Sequence, residues 1–239
     1  HLGMILAPDR SKLSKRHGAT AVSDFIKEGY LTEALLNFVA LLGWAPSDGV
    51  EIKNVDEIAA DFRINEISSS NSIFEYEKLN WMNGQYIKHM DISKLTDLAL
   101  PFLNMYDTNK YSREKLERII AATREPITLL KDLVFDTKYF FEKPDYTEVK
   151  EILDGEVAKN VLPKFLEDLK GYDFNNHDDV HDKLGELRAY FKEKFGYKPK
   201  ETMWALRAAT TGRTRGADMV ETLLILGKEE VEERIKACL

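Results

Sequence analysis

Apolar residues recur at spacings of three and four along most of the chain, and strand-like alternation is scarce, so the sequence predicts a mainly α-helical protein. The stretch 31–42 is the clearest case: Leu35, Leu36, Phe38, Val39 and Leu42 form a broad apolar face, with Thr32 as N-cap and Gly43 as C-cap. Asn54 or Asp56 opens a short helix to residue 62, and the polar, Ser-rich stretch 64–74 reads as a loop. A helix over 75–90 carries Leu79, Trp81, Met82, Tyr86 and Ile87, with Gly84 inside it. Ser93 caps a helix to about 106 that Pro101 should kink, Ser112 caps another, and Pro126 suits the first turn of its successor. The polar, Pro-bearing stretch 142–146 follows Tyr139-Phe140-Phe141 and is the best internal boundary. Thr147 caps a run to 153, and helices over 157–169, 178–195, 199–209, 219–226 and 228–239 complete the chain, with Gly212 and Gly216 in a loop.

The first thirty residues break this pattern. A short apolar stretch, Met4-Ile5-Leu6, is followed by Pro8-Asp9 and then by basic residues around Gly18. A lone strand and loop cannot make a core, so this segment reads as the tail of an α/β domain whose body lies upstream, and the chain as a C-terminal fragment. At 239 residues and 44% hydrophobic the composition is globular. A single Cys, Cys238, excludes a disulfide framework and a Cys-based zinc site within the chain. No apolar run reaches the roughly 18 residues of a membrane span, and the start has no basic n-region, so a reducing cytosol is expected.

Charge narrows the functional classes. Lys and Arg number 34 against 41 Asp and Glu, a net charge of −7, which argues against a protein that coats nucleic acid non-specifically. A shaped site needs only a local basic patch, and 197–228 supplies one: Lys198, Lys200, Arg207, Arg213, Arg215 and Lys228 face only Glu201, Asp218 and Glu221. Phosphate attraction would set position there, and base edges or stacking would set identity. Each of these arginines reads equally well as a surface ion pair or a helix cap. The second basic cluster is Lys12-Leu13-Ser14-Lys15-Arg16-His17-Gly18. Two ammonium groups on a mobile loop can neutralise a triphosphate and its leaving pyrophosphate, Ser14 can bond a phosphate oxygen or the loop backbone, and Gly18 lets the backbone swing. A solvated turn or a basic targeting patch is the competing reading. His177 and His181 are assigned to a charged helix start rather than a metal pair; Trp44, Trp81 and Trp204 could serve as stacking platforms, but their apolar patterns assign them to core packing. No metal site is expected.

Three stretches together carry a resemblance: the opening through Trp44, the segment EYEKLNWMNGQYIK (75–88), and the pair ALRAATTGR (205–213) and ETLLILGKEEVEERIKACL (221–239). They resemble bacterial glutamyl-tRNA synthetase, in order and nearly end to end. The first matches the segment with the lysine-serine signature loop of class I synthetases, the second the stem-contact domain, and the last pair the anticodon-binding domain. The resemblance implies an ATP-dependent ligase that joins glutamate to tRNA(Glu) through glutamyl adenylate, using Mg2+. It implies ATP contact by Lys15, assisted by Lys12, with Ser14 in the same catalytic loop. It also implies tRNA contact: Arg207 matches an arginine facing the anticodon, Met219 a position packing near its bases, and Arg124 an arginine that senses the third base, while Arg213 and Arg215 extend the basic loop.

The family's His-x-Gly-His signature is missing here; His1-Leu2-Gly3 lacks its second His and lies too close to the lysine loop. ATP and glutamate would be held by the missing catalytic domain, so the fragment alone is expected to bind no cofactor and to catalyse nothing. The implied organisation is the end of the catalytic α/β domain over 1–24, a helical stem-contact domain over 25–92, and anticodon-binding subdomains over 93–142 and 143–239. A monomer without membrane contact is expected. The alternative is a non-catalytic helical module of synthetase ancestry that binds RNA or protein; a helical scaffold without an RNA role is a third reading. Whether tRNA(Gln) is also charged depends on anticodon discrimination, which the sequence leaves open.

Overall fold

Local chemistry sets the helix ends, and it departs from expectation where a side chain nearer the boundary does the capping. The computed structural model describes residues 2–14, 16, 18 and 21–239, and the chain falls into two compact units. One takes His1–Met105 and Arg124–Phe135, and the other takes Tyr106–Thr123 and Asp136–Leu239.

In the first unit a parallel pair, β1 (Ile5–Leu6) and β2 (Ser72–Ile73), accompanies helices α1 (Val22–Glu28), α2 (Thr32–Leu41), α3 (Val55–Asp61), α4 (Tyr76–His89) and α5 (Ile92–Ala99). The register is Ile5 to Ser72 and Leu6 to Ile73, so the stretch read as a loop holds a strand too short to leave an alternating pattern. Asn54 closes a capping box with Glu57 at the start of α3. Asp91, not Ser93, caps α5 by accepting the Lys94 N–H at 3.0 Å. The helix ends at Ala99, and the Pro101 segment continues as a 3-10 turn, 100–103. A Cβ on Gly84 would lie 3.3 Å from the Ile127 carbonyl oxygen, so this glycine lets the 127–130 segment press onto α4.

Asn83 stitches that approach together. It is fully buried, its Oδ1 accepts the Leu31 N–H at 2.8 Å, and its Nδ2 donates to the Thr128 carbonyl at 2.6 Å and the Gly29 carbonyl at 3.3 Å. Phe25, Tyr30, Leu35, Phe38, Phe74, Leu79 and Met82 pack as one core beneath it. Beside this core, Leu2, Ile5, Leu36, Val39, Val55 and Phe62 line an apolar groove of about 610 Å3.

In the second unit α6 (Arg113–Thr123) and α7 (Leu133–Phe141, its residues 133–135 falling to the first unit) precede α8 (Lys150–Leu153), α9 (Glu156–Asp168), α10 (His177–Phe195), α11 (Pro199–Thr211), α12 (Met219–Leu226) and α13 (Lys228–Lys236). Pro126 lies in the irregular stretch before α7 rather than in its first turn, because a 3-10 turn at Leu130–Asp132 opens that helix. Asn176 caps α10, whose end at Gly196 is left-handed (φ 71). Small residues on α11, Ala205, Ala208 and Ala209, are fully buried, and Phe165, Leu184, Phe191, Leu206, Leu223 and Ile235 fill the core around it. Arg234 is buried within this packing: its Nη1 donates to the Thr210 carbonyl and its Nε to Glu230, each at 2.6 Å, and Nη2 reaches the Glu142 carbonyl at 3.3 Å.

Candidate nucleic-acid interface

The signature-loop segment begins as a tight return after β1. The Asp9 carboxylate accepts the Ser11 N–H at 2.9 Å and the Ser11 hydroxyl at 2.7 Å, and the Ala7 N–H reaches the Ser11 carbonyl at 2.8 Å. Arg10 takes the left-handed conformation this turn needs (φ 64), and Lys12 then forms an antiparallel bridge with Leu6. The turn projects Lys12 into solvent, where it has no ion-pair partner among the described residues, and Ser14 follows half-buried. Lys15 lies outside the described residues.

Arg124 belongs to the first unit. It is half-buried, and its Nη1 donates to the Met90 carbonyl at 3.0 Å, at the C-terminal end of α4. It therefore acts as a helix cap, neutralising the negative end of the α4 dipole.

The remaining arginines gather in the second unit, around the turn between α11 and α12. Gly212 ends α11 in the left-handed region (φ 68), and a Cβ there would lie 2.4 Å from the Asp145 carbonyl oxygen. Only glycine meets both demands, which fixes where the chain leaves the helix. Thr211 Oγ1 donates to the Arg207 carbonyl at 2.7 Å and accepts the Arg213 N–H at 3.2 Å. At the other end Asp218 caps α12 by accepting the Val220 N–H at 2.8 Å and the Glu221 N–H at 3.2 Å.

Around these anchors two arginines, Arg207 within α11 and Arg213 in the turn, are committed to the protein itself. Arg207 Nη1 donates to the Ala217 carbonyl at 2.7 Å. Burial pulls the Arg207 pKa down from the ordinary arginine range, while Tyr139 and Asp218 oppose that shift. Arg213 pairs with Asp136 at 3.3 Å and lies 5.5 Å above the ring of Tyr139. Tyr139 is buried under the loop, and that burial pushes its pKa up. Arg215 differs: it is exposed, between exposed Thr214 and Gly216, and among the described residues it has no ion-pair partner. Met219 is 5% exposed and belongs to the apolar core, so its side chain supports the loop from below.

The loop thus brings Arg207, Arg213, Arg215 and Met219 together, with one cation left open to solvent. A rigid turn carrying an uncommitted guanidinium can hold a phosphate or a base edge without first ordering the loop. Asp136 and Tyr139 complete the arrangement from α7. The sequence reading missed both, because they lie some seventy residues upstream and Tyr139 looked like part of an apolar run. The tryptophans need a correction. Trp44 is buried as expected, but Trp81 is 49% and Trp204 38% exposed, since each sits on the solvent side of its amphipathic helix.

The sequence matches the family described as anticodon binding domain over residues 94–239, and that described as tRNA synthetases class I (E and Q), catalytic domain, over residues 1–81. A glutamate–tRNA ligase of Carboxydothermus hydrogenoformans is 36% identical over 242 residues, covering 98% of this chain and 50% of that protein. One of Elusimicrobium minutum is 39% identical over 239 residues, covering 98% of this chain and 48% of its own. The crystal structure of a glutamate tRNA ligase from Elizabethkingia meningosepticum, in complex with its amino acid, superposes with a TM-score of 0.83 at 28% identity, over 100% of this chain and 50% of that one. The chain spans about half the length of the curated relatives it matches. It belongs to the anticodon-binding-domain family, and it matches glutamate–tRNA ligases along nearly all of its length.

Proposed function

We propose that the chain is the tRNA-recognition portion of a glutamyl-tRNA synthetase, which ligates glutamate to tRNA(Glu) through glutamyl adenylate at the expense of ATP. The observation that carries this reading is the concentration of Arg207, Arg213 and Arg215 on one braced turn within the region that matches the anticodon-binding family. RNA enters there by phosphate attraction to Arg215, on a surface whose shape Arg207, Arg213 and Met219 maintain. Arg124 contributes through the end of α4 that it caps.

In the whole enzyme Lys15, assisted by Lys12 and the Ser14 loop, stabilises charge developing on the ATP phosphates; no proton transfer is assigned to them. The reading takes Mg2+ to accompany the nucleotide in the whole enzyme. No helix among the described residues is long and apolar enough to cross a membrane. The reading takes the whole enzyme as cytosolic and monomeric.

The test is equilibrium binding of a tRNA(Glu) transcript to the 239-residue chain over a series of salt concentrations. Binding that weakens steeply with salt supports the reading; no binding at low salt overturns it in favour of a helical scaffold. Lys15→Ala in the full-length enzyme should slow ATP–pyrophosphate exchange, and unchanged exchange would remove Lys15 from the catalytic loop.

A further inference from the structure

The exposed face of α11 carries chemistry that the arginine turn does not use. Lys200, Trp204 and Arg207 stand at positions i, i+4 and i+7, one stripe along the helix. Trp204 is 38% exposed, and Lys200 Nζ lies over its ring, 4.4 Å from the centroid. The indole N–H makes no hydrogen bond among the described residues. A large aromatic side chain left this open on a soluble helix forfeits the burial that would normally stabilise it. The stripe leads directly to the Arg207–Arg215 turn: Trp204 precedes Arg207 by a rise of about 4.5 Å, and Lys200 by about 10.5 Å.

We infer that Trp204 is a stacking platform for an unpaired nucleobase adjoining those held at the arginine turn, and that Lys200 contacts its phosphate. This rests on the RNA-binding reading of that turn. The occupant is argued from continuity and charge: the platform lies on the same helix as Arg207, and the cation over its ring, Lys200, suits a polyanion. The Lys200–ring contact does not block the face. A cation over an exposed aromatic ring is held more weakly than a stacked base, and the ammonium gains a phosphate partner when it moves aside. An indole stacks on any base, so this residue adds affinity and register rather than sequence choice.

Binding of a tRNA(Glu) transcript to the 239-residue chain, measured at several salt concentrations, tests this with Trp204→Ala, Trp204→Phe, Lys200→Ala and Arg215→Ala. Trp204→Ala is expected to weaken binding by about 5- to 150-fold, with Trp204→Phe retaining part of it. The salt slope should be unchanged in both, whereas Lys200→Ala and Arg215→Ala should each reduce the slope by about one. tRNA should quench the indole emission of the wild type more than that of Trp204→Phe. Melting temperatures should match the wild type, because the side chain lies on the surface. If Arg215→Ala weakens binding and Trp204→Ala does not, the platform is refuted while the arginine turn stands. If Trp204→Ala weakens binding only by the same loss of slope as Lys200→Ala, Trp204 merely positions the lysine and stacking is refuted. If the wild type itself fails to bind, the underlying RNA reading fails and this inference fails with it.

Discussion

Replacing Arg207 by Ala separates holding the turn from touching RNA. Arg207 is half-buried, and its Nη1 donates to the Ala217 carbonyl at 2.7 Å, across the base of the Gly212–Asp218 turn. A hydrogen bond to a charged donor contributes about 1.5–3 kcal/mol. At about 2–4 °C per kcal/mol, the melting temperature of the 239-residue chain should fall by about 3–12 °C. Arg215→Ala removes an exposed side chain and should change stability by less than about 0.5 kcal/mol. RNA affinity divides the two differently. One lost phosphate contact lowers the slope of log K against log salt by about 0.7–0.9. Over a fourfold rise in salt, the affinity advantage of the wild type over Arg215→Ala should therefore shrink about threefold, at constant melting temperature. Arg207→Ala should lower both melting temperature and affinity, because the released turn also misplaces Arg213 and Arg215. Calorimetry and fluorescence-anisotropy titrations on the same preparations read both effects. An Arg207→Ala protein that keeps its melting temperature while losing affinity as Arg215→Ala does would show that Arg207 touches RNA directly, and the bracing role would be wrong.

Three further outcomes follow from the same geometry. Arg234→Ala leaves the Thr210 and Glu142 carbonyls and Glu230 without their buried partner and should cost about 3–5 kcal/mol; a urea midpoint that does not move would refute that role. Asp136→Asn removes the charge opposing Arg213 but keeps the side chain's shape, so tRNA affinity at low salt should rise and its salt slope steepen by about 0.7–0.9; unchanged binding would take Arg213 out of the interface. Burial pushes the Tyr30 and Tyr86 phenols up to about 12 from the ordinary 10.0. Above pH 10 the unfolded chain ionises first and the folded chain retains more protons, so this stability is complete below 10 and is lost as pH climbs toward 12. Urea unfolding over that range, alongside tyrosinate absorbance, should show the fall, and Tyr30→Phe should flatten it; a flat wild-type profile would contradict the burial.

Long helices were legible because their physics is local. Stretches such as 178–195 and 199–209 announced themselves through apolar spacing, Gly196 and Pro199, and the observed helices extend them by two residues or fewer at either end. The basic turn could be read from the excess of arginine between two glycines. What stayed hidden depended on residues brought together by folding. Nothing near Arg213 in sequence indicates that Asp136 will neutralise it or that Tyr139 will lie beneath it. Strand β2 is two residues long and gains its identity from pairing with β1, some seventy residues earlier. Trp204 misled for the opposite reason: an indole in an apolar-looking helix suggests core, and only its angular position on α11 reveals that it faces water.

The distribution of committed and free cations also shapes how such a surface can recognise RNA. With a net charge of −7, the chain gains little from long-range attraction, and its local excess of cations is partly cancelled from within. Arg213 already faces Asp136, and Arg207 is turned toward a backbone carbonyl. On the proposed reading, phosphate attraction at the turn would therefore come chiefly from Arg215, supplemented along α11 by Lys200. A site with so few free charges cannot hold any polyanion indiscriminately, because each phosphate contact is lost readily to salt. It has to draw affinity from contacts that depend on the shape of the RNA, which a rigid turn and a stacking face can supply. The internal pairs at Arg207 and Arg213 thus give up charge for rigidity, and that exchange favours discrimination over strength.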